Sequence, residues 1–203
     1  MSRLPDMTPP AGPHLQAVHT CHDGTRRTVY WTDEEVPYPD GRLIVSRTDL
    51  DGVITHANEA FVELSGYSRE ELIGAPHSIL RHPDMPRAAF ADLWATLKDG
   101  RKWHGYVKNL RKDGKHYWVY ATALPNVRHG QVVGYTSVRR KPSRRAIAEV
   151  LPLYRQWLEQ EAAEATAWPS TCWSPPISRR RTSPAGTCSP PCCSTAPAPA
   201  CTC

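Results

Sequence analysis

The 203-residue chain has no cysteine between Cys21 and Cys172. A domain within that interval therefore has no disulfide framework and no thiolate ligands for a metal. This cysteine usage is typical of a domain that folds in a reducing compartment. Six of the seven cysteines lie from Cys172 onward, so the end of the chain differs in character from its middle.

Long apolar runs are also missing. No stretch reaches the roughly 18 consecutive apolar residues that a membrane-spanning helix needs, and the N-terminal sequence MSRLPDMTPPAGPHL lacks the apolar core of a signal peptide. These absences predict a cytoplasmic protein without a membrane span. No G-x-G-x-x-G sequence is present to bind a dinucleotide hydride donor, which argues against a flavin reductase or a similar enzyme.

The 20 prolines crowd the two ends of the chain and divide it into four segments. Residues 1–38 are polar and proline-rich without apolar periodicity, and they are predicted to be disordered or loosely ordered. Residues 39–142 form the main domain, and residues 143–164 carry the apolar spacing of an amphipathic exit helix. Pro152 is expected to bend or interrupt that helix.

Residues 165–203 contain no Asp, Glu, Lys, Leu, Val, Phe or Tyr and consist largely of Pro, Ser, Thr, Ala, Cys and Arg. Zinc ribbons need repeated C-x-x-C pairs, and this segment has none at a suitable spacing. Its composition is instead typical of a GC-rich gene translated out of frame. We therefore expect a low-complexity tail of frameshifted or truncated origin.

Basic residues are concentrated in the second half of the main domain. Between Lys98 and Arg145 there are 13 Lys or Arg residues and two acids, Asp99 and Asp113. Such an excess fits either a surface for anionic partners or the guarded edges of a small sheet. Because no nucleic-acid-binding motif accompanies the charge, no nucleic-acid partner is predicted.

Local signals predict an α+β domain. Two β-rich runs, Leu43–Thr48 and Gly52–His56, flank an Asp51-Gly52 turn. Short helices follow over Glu59–Ser65, with Asn58 as N-cap, and after the capping box that begins at Ser68. A longer helix is predicted from Pro86 to Lys98.

Three more strands are predicted over Trp103–Leu110, His116–Leu124 and Gln131–Arg139, and Asp113-Gly114 marks one of the turns. Five antiparallel strands with short helices on one face then enclose a pocket between sheet and helices. Small ligands commonly bind in such a pocket.

The loop from His77 to Pro86 holds the densest group of polar side chains, in the sequence HSILRHPDMP. Its position at a helix N-terminus suits a ligand with anionic groups. A hydrogen-bonded connection between two helices explains the same residues equally well.

Several strings in this region, namely ITHAN from Ile54, FVELSGY from Phe61, RHPDMP from Arg81, FADLW from Phe90 and HYW from His116, occur in a fixed order. With them, the region resembles the N-terminal PAS domain of bacterial aerotaxis receptors, a flavin-binding sensor attached to a chemotaxis signalling module. The resemblance covers roughly residues 40–160, and the RHPDMP string is its most specific part.

The resemblance implies a PAS fold that binds FAD noncovalently, senses redox state or oxygen, and is not an enzyme. It also implies a homodimer formed through the PAS domain or its flanking helices, linker and chemoreceptor signalling domains in full-length relatives, and anchoring of those relatives at the inner membrane. The residues that it assigns to the cofactor site are Asn58, His77, Arg81, His82, Asp84, Phe90, Trp94, Trp103 and Asn109.

Two alternatives remain open at the level of sequence. A heme-binding PAS domain has candidate axial ligands in His56, His77, His82, His104 and His116. A PAS domain without ligand would serve for dimerisation or protein interaction alone. A light-oxygen-voltage photosensor is excluded, because it needs a cysteine beside the flavin and this region has none.

Overall fold

The computed structural model describes residues 4–20 and 26–167, and the side chains up to residue 164. Its main sheet has five antiparallel strands in the spatial order β4-β3-β7-β6-β5. The strands are β3 (Ile44–Thr48), β4 (Ile54–Ala57), β5 (Trp103–Leu110), β6 (His116–Arg128) and β7 (Gln131–Arg140). The predicted α+β class and the five-stranded antiparallel sheet are confirmed.

The helices α1 (Glu59–Ser65), α2 (Arg69–Leu72) and α3 (Arg87–Lys98) connect β4 to β5, with a 3₁₀ turn at His77–Leu80. A further helix, α4 (Arg144–Ala167), follows β7. Local hydrogen bonds and backbone geometry determine where the short helices begin and end. Gly66 ends α1 with a positive φ of 73°, and Ser68 and Glu71 form the expected reciprocal capping box on α2.

The segment 1–38, predicted to be disordered or loosely ordered, contains a two-stranded antiparallel sheet. It consists of β1 (Leu15–Thr20) and β2 (Arg26–Trp31), which pair in register from Leu15–Trp31 to Thr20–Arg26. The hairpin is anchored to the domain because Val29 packs against Met7 and against Leu110 of β5. That distant apolar contact is invisible in the local polar composition.

Pro152 also departs from expectation, since α4 continues through it without interruption. A proline inside a helix removes one backbone hydrogen bond, and packing has to offset that loss. Ile147 and Tyr154 are buried on either side of the proline, and the Tyr154 hydroxyl donates to the Tyr106 carbonyl at 2.7 Å.

The helices α1 and α3 cover the same face of the main sheet and leave a space above its centre. On β6, the small residues Ala121 and Ala123 stand where larger side chains would fill that space. The predicted tail over 165–203 falls almost entirely outside the described residues. Within the described part of the chain, no helix has the length and apolar character to cross a membrane.

The hydroxyl of Tyr38 joins the start of β3 to β7. It donates to the Arg139 carbonyl at 2.9 Å and accepts from the Ile44 amide at 3.1 Å, with the Arg42 carbonyl also within 3.1 Å. The ring is 4% exposed, so loss of the hydroxyl leaves the buried amide of Ile44 without its acceptor.

We therefore expect Tyr38→Phe to lower the free energy of unfolding by about 1–3 kcal/mol, measured by urea denaturation. The control is Tyr30→Phe on the half-buried surface of β2, which should change it by less than about 0.5 kcal/mol. Equal effects of the two variants would contradict the role assigned to Tyr38.

Candidate ligand-binding cavity

A cavity of about 460 Å³ lies between the main sheet and the helices. This volume falls within the range of small-molecule sites in proteins. Its wall is mostly apolar, and a few polar side chains cluster in one part of it. The residues that matter for its chemistry are Ser46, His77, Arg81, Phe90, Trp94, Trp103, Asn109, Ala121, Ala123, Tyr135 and Arg139.

The polar part of the wall centres on Arg139, which is only 3% exposed. Its Nη2 donates to the Ser46 hydroxyl at 2.9 Å and to Nε2 of His77 at 2.5 Å, and its guanidinium lies 5.1 Å from the Phe61 ring centroid. Among the described residues, no carboxylate forms an ion pair with it, and burial lowers its pKa. A buried cation that has only neutral partners favours a ligand with negative charge or strong acceptors.

His77 is held neutral beside this cation. Burial, followed by the nearby charge of Arg139, lowers the pKa of His77 to about 3. The ring stacks on Phe61 at a centroid distance of 5.9 Å, which fixes its plane. Because Arg139 donates to Nε2, that nitrogen acts as an acceptor and the proton is carried on Nδ1.

Two donors of cavity-lining residues lack a well-formed hydrogen bond among the described residues. Nη1 of Arg139 has no partner there, Nδ2 of Asn109 has only a weak interaction with the Tyr117 hydroxyl, and both atoms are fully buried. An unpaired buried donor costs roughly 1–3 kcal/mol, so a native cavity normally offers such groups to a ligand. The pair therefore fits a flat ligand that has hydrogen-bond acceptors along its edge.

Aromatic side chains form another part of the wall. Trp94 meets Tyr135 edge to face at 5.4 Å, and the Arg81 guanidinium lies 4.7 Å from the Phe90 ring centroid. The indole N–H of Trp103 donates to Asp92 at 2.7 Å. With this hydrogen bond in place, the ring lies against Gly105 of the same strand.

Gly105 makes room for that ring. A Cβ added at this position would stand 2.2 Å from the Trp103 ring, too close for any side chain to fit without a shift. Aromatic side chains and the small residues Ala121 and Ala123 line the cavity together, so it suits a planar heteroaromatic ring.

The structure does not bring Asn58 to the cavity. Its Oδ1 accepts from the amides of Phe61 and Val45 at 3.1 and 3.0 Å, and its Nδ2 donates to the Leu43 carbonyl at 2.8 Å. The side chain is thus fully used in capping α1 and tying it to β3. The expected cofactor contact of Asn58 does not fit this geometry.

His82 and Asp84 also lie away from the cavity lining, unlike their neighbour Arg81. Asp84 accepts from the buried Lys108 at 2.7 Å, and His82 is completely buried between Trp31 and His116 at ring distances of 5.9 and 5.7 Å. These residues fasten the loop to β5, β6 and the N-terminal hairpin. Any effect that they have on a ligand is therefore indirect.

Of the nine predicted site residues, the six that line the cavity are His77, Arg81, Phe90, Trp94, Trp103 and Asn109. Sequence reasoning missed Ser46 and Arg139, which complete the polar group. The only available signal was the alternation of β7, in which Arg139 and Arg140 point to opposite faces of the sheet. That alternation does not reveal which of the two faces inward.

Burial of neutral histidines predicts a dependence of stability on pH. Burial lowers the pKa of both His77 and His82 from 6.5 to about 3, whereas the unfolded chain takes up these protons near pH 6.5. The stability that the neutral rings contribute is therefore complete above pH 6.5 and is lost progressively as the pH falls from there toward 3.

Each histidine should add a slope of up to about 1.4 kcal/mol per pH unit, measured by urea unfolding between about pH 8 and 5. His77→Gln should remove about half of the combined slope of the pair. The exposed His56→Gln serves as control and should leave the slope unchanged; equal slopes in all three proteins would refute the assignment.

Comparisons with known proteins agree with this architecture. The family described as PAS fold matches residues 54–139. The aerotaxis receptor of Escherichia coli is 53% identical over 126 residues, which are 62% of this chain and 25% of the receptor. The biofilm dispersion protein BdlA of Pseudomonas aeruginosa is 38% identical over 95 residues, covering 44% of this chain and 22% of that protein.

Among solved structures, a PAS domain from Colwellia psychrerythraea is 28% identical and covers 50% of this chain and 87% of its own, with a TM-score of 0.43. The chain spans about a quarter of the length of the two curated relatives. Residues 54–139 match the PAS fold, and over the matched residues the chain is similar to an aerotaxis receptor.

Proposed function

We propose that this PAS domain binds FAD noncovalently and acts as a redox or oxygen sensor of the aerotaxis type. The observation that carries the proposal is a cavity of about 460 Å³ that is lined in part by aromatic side chains and flanked by two buried donors, on Asn109 and Arg139, that lack a well-formed hydrogen bond. The isoalloxazine ring of a flavin is planar and has carbonyl and nitrogen acceptors along one edge, so it matches both features.

A bound flavin supplies reversible uptake of electrons and protons, which changes the charge and hydrogen bonding at its ring. The polar wall is suited to respond to such a change. Arg139 favours an increase of negative charge beside it, and the neutral His77 holds the guanidinium in place through Nε2. The amide of Asn109 has a donor and an acceptor and adapts to either state of a neighbouring group.

Both polar residues are connected to elements that lead away from the cavity. Arg139 is the second-last residue of β7, and α4 begins five residues later, at Arg144. Asn109 pairs with Tyr117 across the β5–β6 ladder and forms an isolated bridge with Arg81. A change at the cavity therefore passes along the sheet to α4, and from there to the linker and signalling segments of a chemoreceptor.

A heme site is less consistent with the geometry. Of the histidines proposed as axial ligands, only His77 lines the cavity within the described part of the chain. Its Nε2 is already the acceptor for the Arg139 guanidinium at 2.5 Å, and a cation at that position opposes binding of an iron ion. A PAS domain without any ligand leaves the unpartnered Nη1 of Arg139 beside the cavity unexplained.

The proposal extends to the context of the relatives. An aerotaxis role places the domain in the cytoplasm, as a homodimer that works with chemoreceptor signalling and linker domains. The relative named an aerotaxis receptor supports this context over its matched quarter. The proposed activity is sensing, so no catalytic residue is assigned.

The direct test is the absorption spectrum and released chromophore of the purified chain. We expect the two-band spectrum of oxidised flavin and release of FAD on denaturation, and not the single intense band of heme. Asn109→Ala should lower the flavin content severalfold because it removes a buried donor. Asn58→Ala should lose stability but keep its flavin when folded. A colourless wild-type protein that fails to bind added FAD would refute the proposal.

The route to α4 has its own test. Chemical reduction of the flavin should change hydrogen exchange in α4 in the wild-type protein, and Asn109→Ala reconstituted with FAD should show a smaller change. If reduction alters α4 equally in the variant, then Asn109 is not part of the route.

A further inference from the structure

The N-terminal hairpin has one strand edge without a partner. β1 pairs with β2 alone, and among the described residues no bridge or backbone hydrogen bond joins its other edge to another element. The outer edge of β2 is occupied, because the Thr28 carbonyl accepts from the Met7 amide at 3.0 Å and the Thr28 amide donates to the Asp6 carboxylate. The free edge of the hairpin is therefore that of β1.

The contacts of Thr28 show which backbone groups of β1 face outward. Both backbone groups of Thr28 are directed away from β1, so its pair with Val18 is a non-hydrogen-bonded pair of the ladder. The amide and carbonyl of Val18 then also point away from β2, toward the free edge. Because the two kinds of pair alternate along the ladder, Gln16 and Thr20 have the same orientation. The free edge thus offers a donor and an acceptor at each of three alternate residues.

β1 lacks the features that protect an edge strand from pairing with another chain. Edge strands are commonly guarded by a charged side chain, a proline or a bulge. β1 has the sequence LQAVHT and pairs with β2 in an unbroken register, and the chain has no Asp, Glu, Lys or Arg from residue 7 to residue 20. The side chain of Val18, at the middle of the edge, is 56% exposed. Such an edge is a template for a further strand.

A second copy of β1 fits this edge in one register. Antiparallel pairing about a twofold axis at Val18 sets this residue opposite itself and sets Gln16 opposite the partner's Thr20. Every opposed residue then directs its backbone groups at the other strand, which gives about six hydrogen bonds. The two exposed Val18 side chains meet at the axis. A shift by one residue sets these groups against residues that already bond to β2, so that register is excluded.

The absence of charge on β1 favours a second copy over a charged peptide as the occupant. An uncharged edge offers no ion pair that would select an acidic or a basic peptide. Two identical uncharged edges, in contrast, approach each other without repulsion. The same strand therefore supplies both halves of a complementary contact.

We propose that two copies of the protein associate through the free edges of β1, which joins their hairpins into one four-stranded antiparallel sheet. This inference rests on the homodimer of the proposed function and identifies its contact surface. β1 lies outside residues 54–139, which match the PAS fold, yet its last two residues, His19 and Thr20, line the cavity. The contact between the copies is therefore adjacent to the ligand site.

The test is analytical ultracentrifugation of the full chain over a range of concentrations. The buffer is reducing, so that the seven cysteines form no disulfides. Pairing of one six-residue strand buries a small area, and we expect a dimer with a dissociation constant on the order of micromolar. Far-UV circular dichroism of each variant verifies that it is folded.

Two substitutions of Val18 act on the contact in different ways. Val18→Pro removes an outward amide that takes no part in the β1–β2 ladder, so the hairpin should persist while the dimer weakens on the order of tenfold or more. Val18→Lys sets two like charges opposite each other at the axis and should weaken the dimer to a similar degree. The control Gln16→Lys adds the same charge to the same edge, but opposite the partner's Thr20, and should weaken the dimer much less.

Mixing of two variants tests the twofold axis itself. Val18→Lys and Val18→Glu should each be largely monomeric alone. Their equimolar mixture should regain the dimer, because opposite charges then face each other across the axis.

A wild-type chain that remains monomeric at every concentration would overturn the inference together with the homodimer of the proposed function. A dimer that Val18→Pro and Val18→Lys leave unchanged would overturn the inference alone, because the copies would then meet through another surface. Flavin binding is measured on the same samples. If the chain binds no flavin but forms a dimer that depends on Val18, the proposed sensing function fails and the β1 contact stands.

Discussion

The buried guanidinium of Arg139 is the interaction around which the cavity is arranged. It sits on a central strand, 3% exposed, and is held by Ser46, His77 and the face of Phe61. All of these partners are neutral, so they orient the charge without neutralising it. A cation in this situation is costly in the free domain and valuable when a ligand brings negative charge or strong acceptors.

In the loop that follows the 3₁₀ turn, neighbouring residues have two different roles. Arg81 faces the cavity and bridges to Asn109 on β5, while His82 and Asp84 face the other way, toward His116 and Lys108. The most distinctive string of the sequence is thus only partly a binding motif. Its other residues fix the position of the strands that carry the site.

Local chemistry explains why much of this architecture was predictable from the sequence. The cap at Asn58, the capping box at Ser68 and the apolar spacing around Phe90 each depend on residues a few positions apart. The family resemblance placed Asn58 at the cofactor, whereas the structure uses its amide to cap α1 and does not bring it to the cavity.

Features that depend on distant contacts were missed. The inward orientation of Arg139 follows from the pairing of β7 with β3 and β6, and the order of the N-terminal hairpin follows from the contact of Val29 with Leu110. Neither the orientation of Arg139 nor the order of the hairpin can be predicted from a short stretch of sequence. The continuous course of α4 through Pro152 has the same origin, since it depends on the packing of Ile147 and Tyr154.

The measurement that tests this account most directly is the stability of Arg139→Met with and without FAD. Without flavin, the variant should unfold within about 1 kcal/mol of the wild-type value, because relief of a buried unpaired charge offsets the lost hydrogen bonds. Added FAD should stabilise the wild-type chain and the exposed control Arg140→Met, but stabilise Arg139→Met much less. An equal gain from FAD in all three proteins would contradict the central role of Arg139.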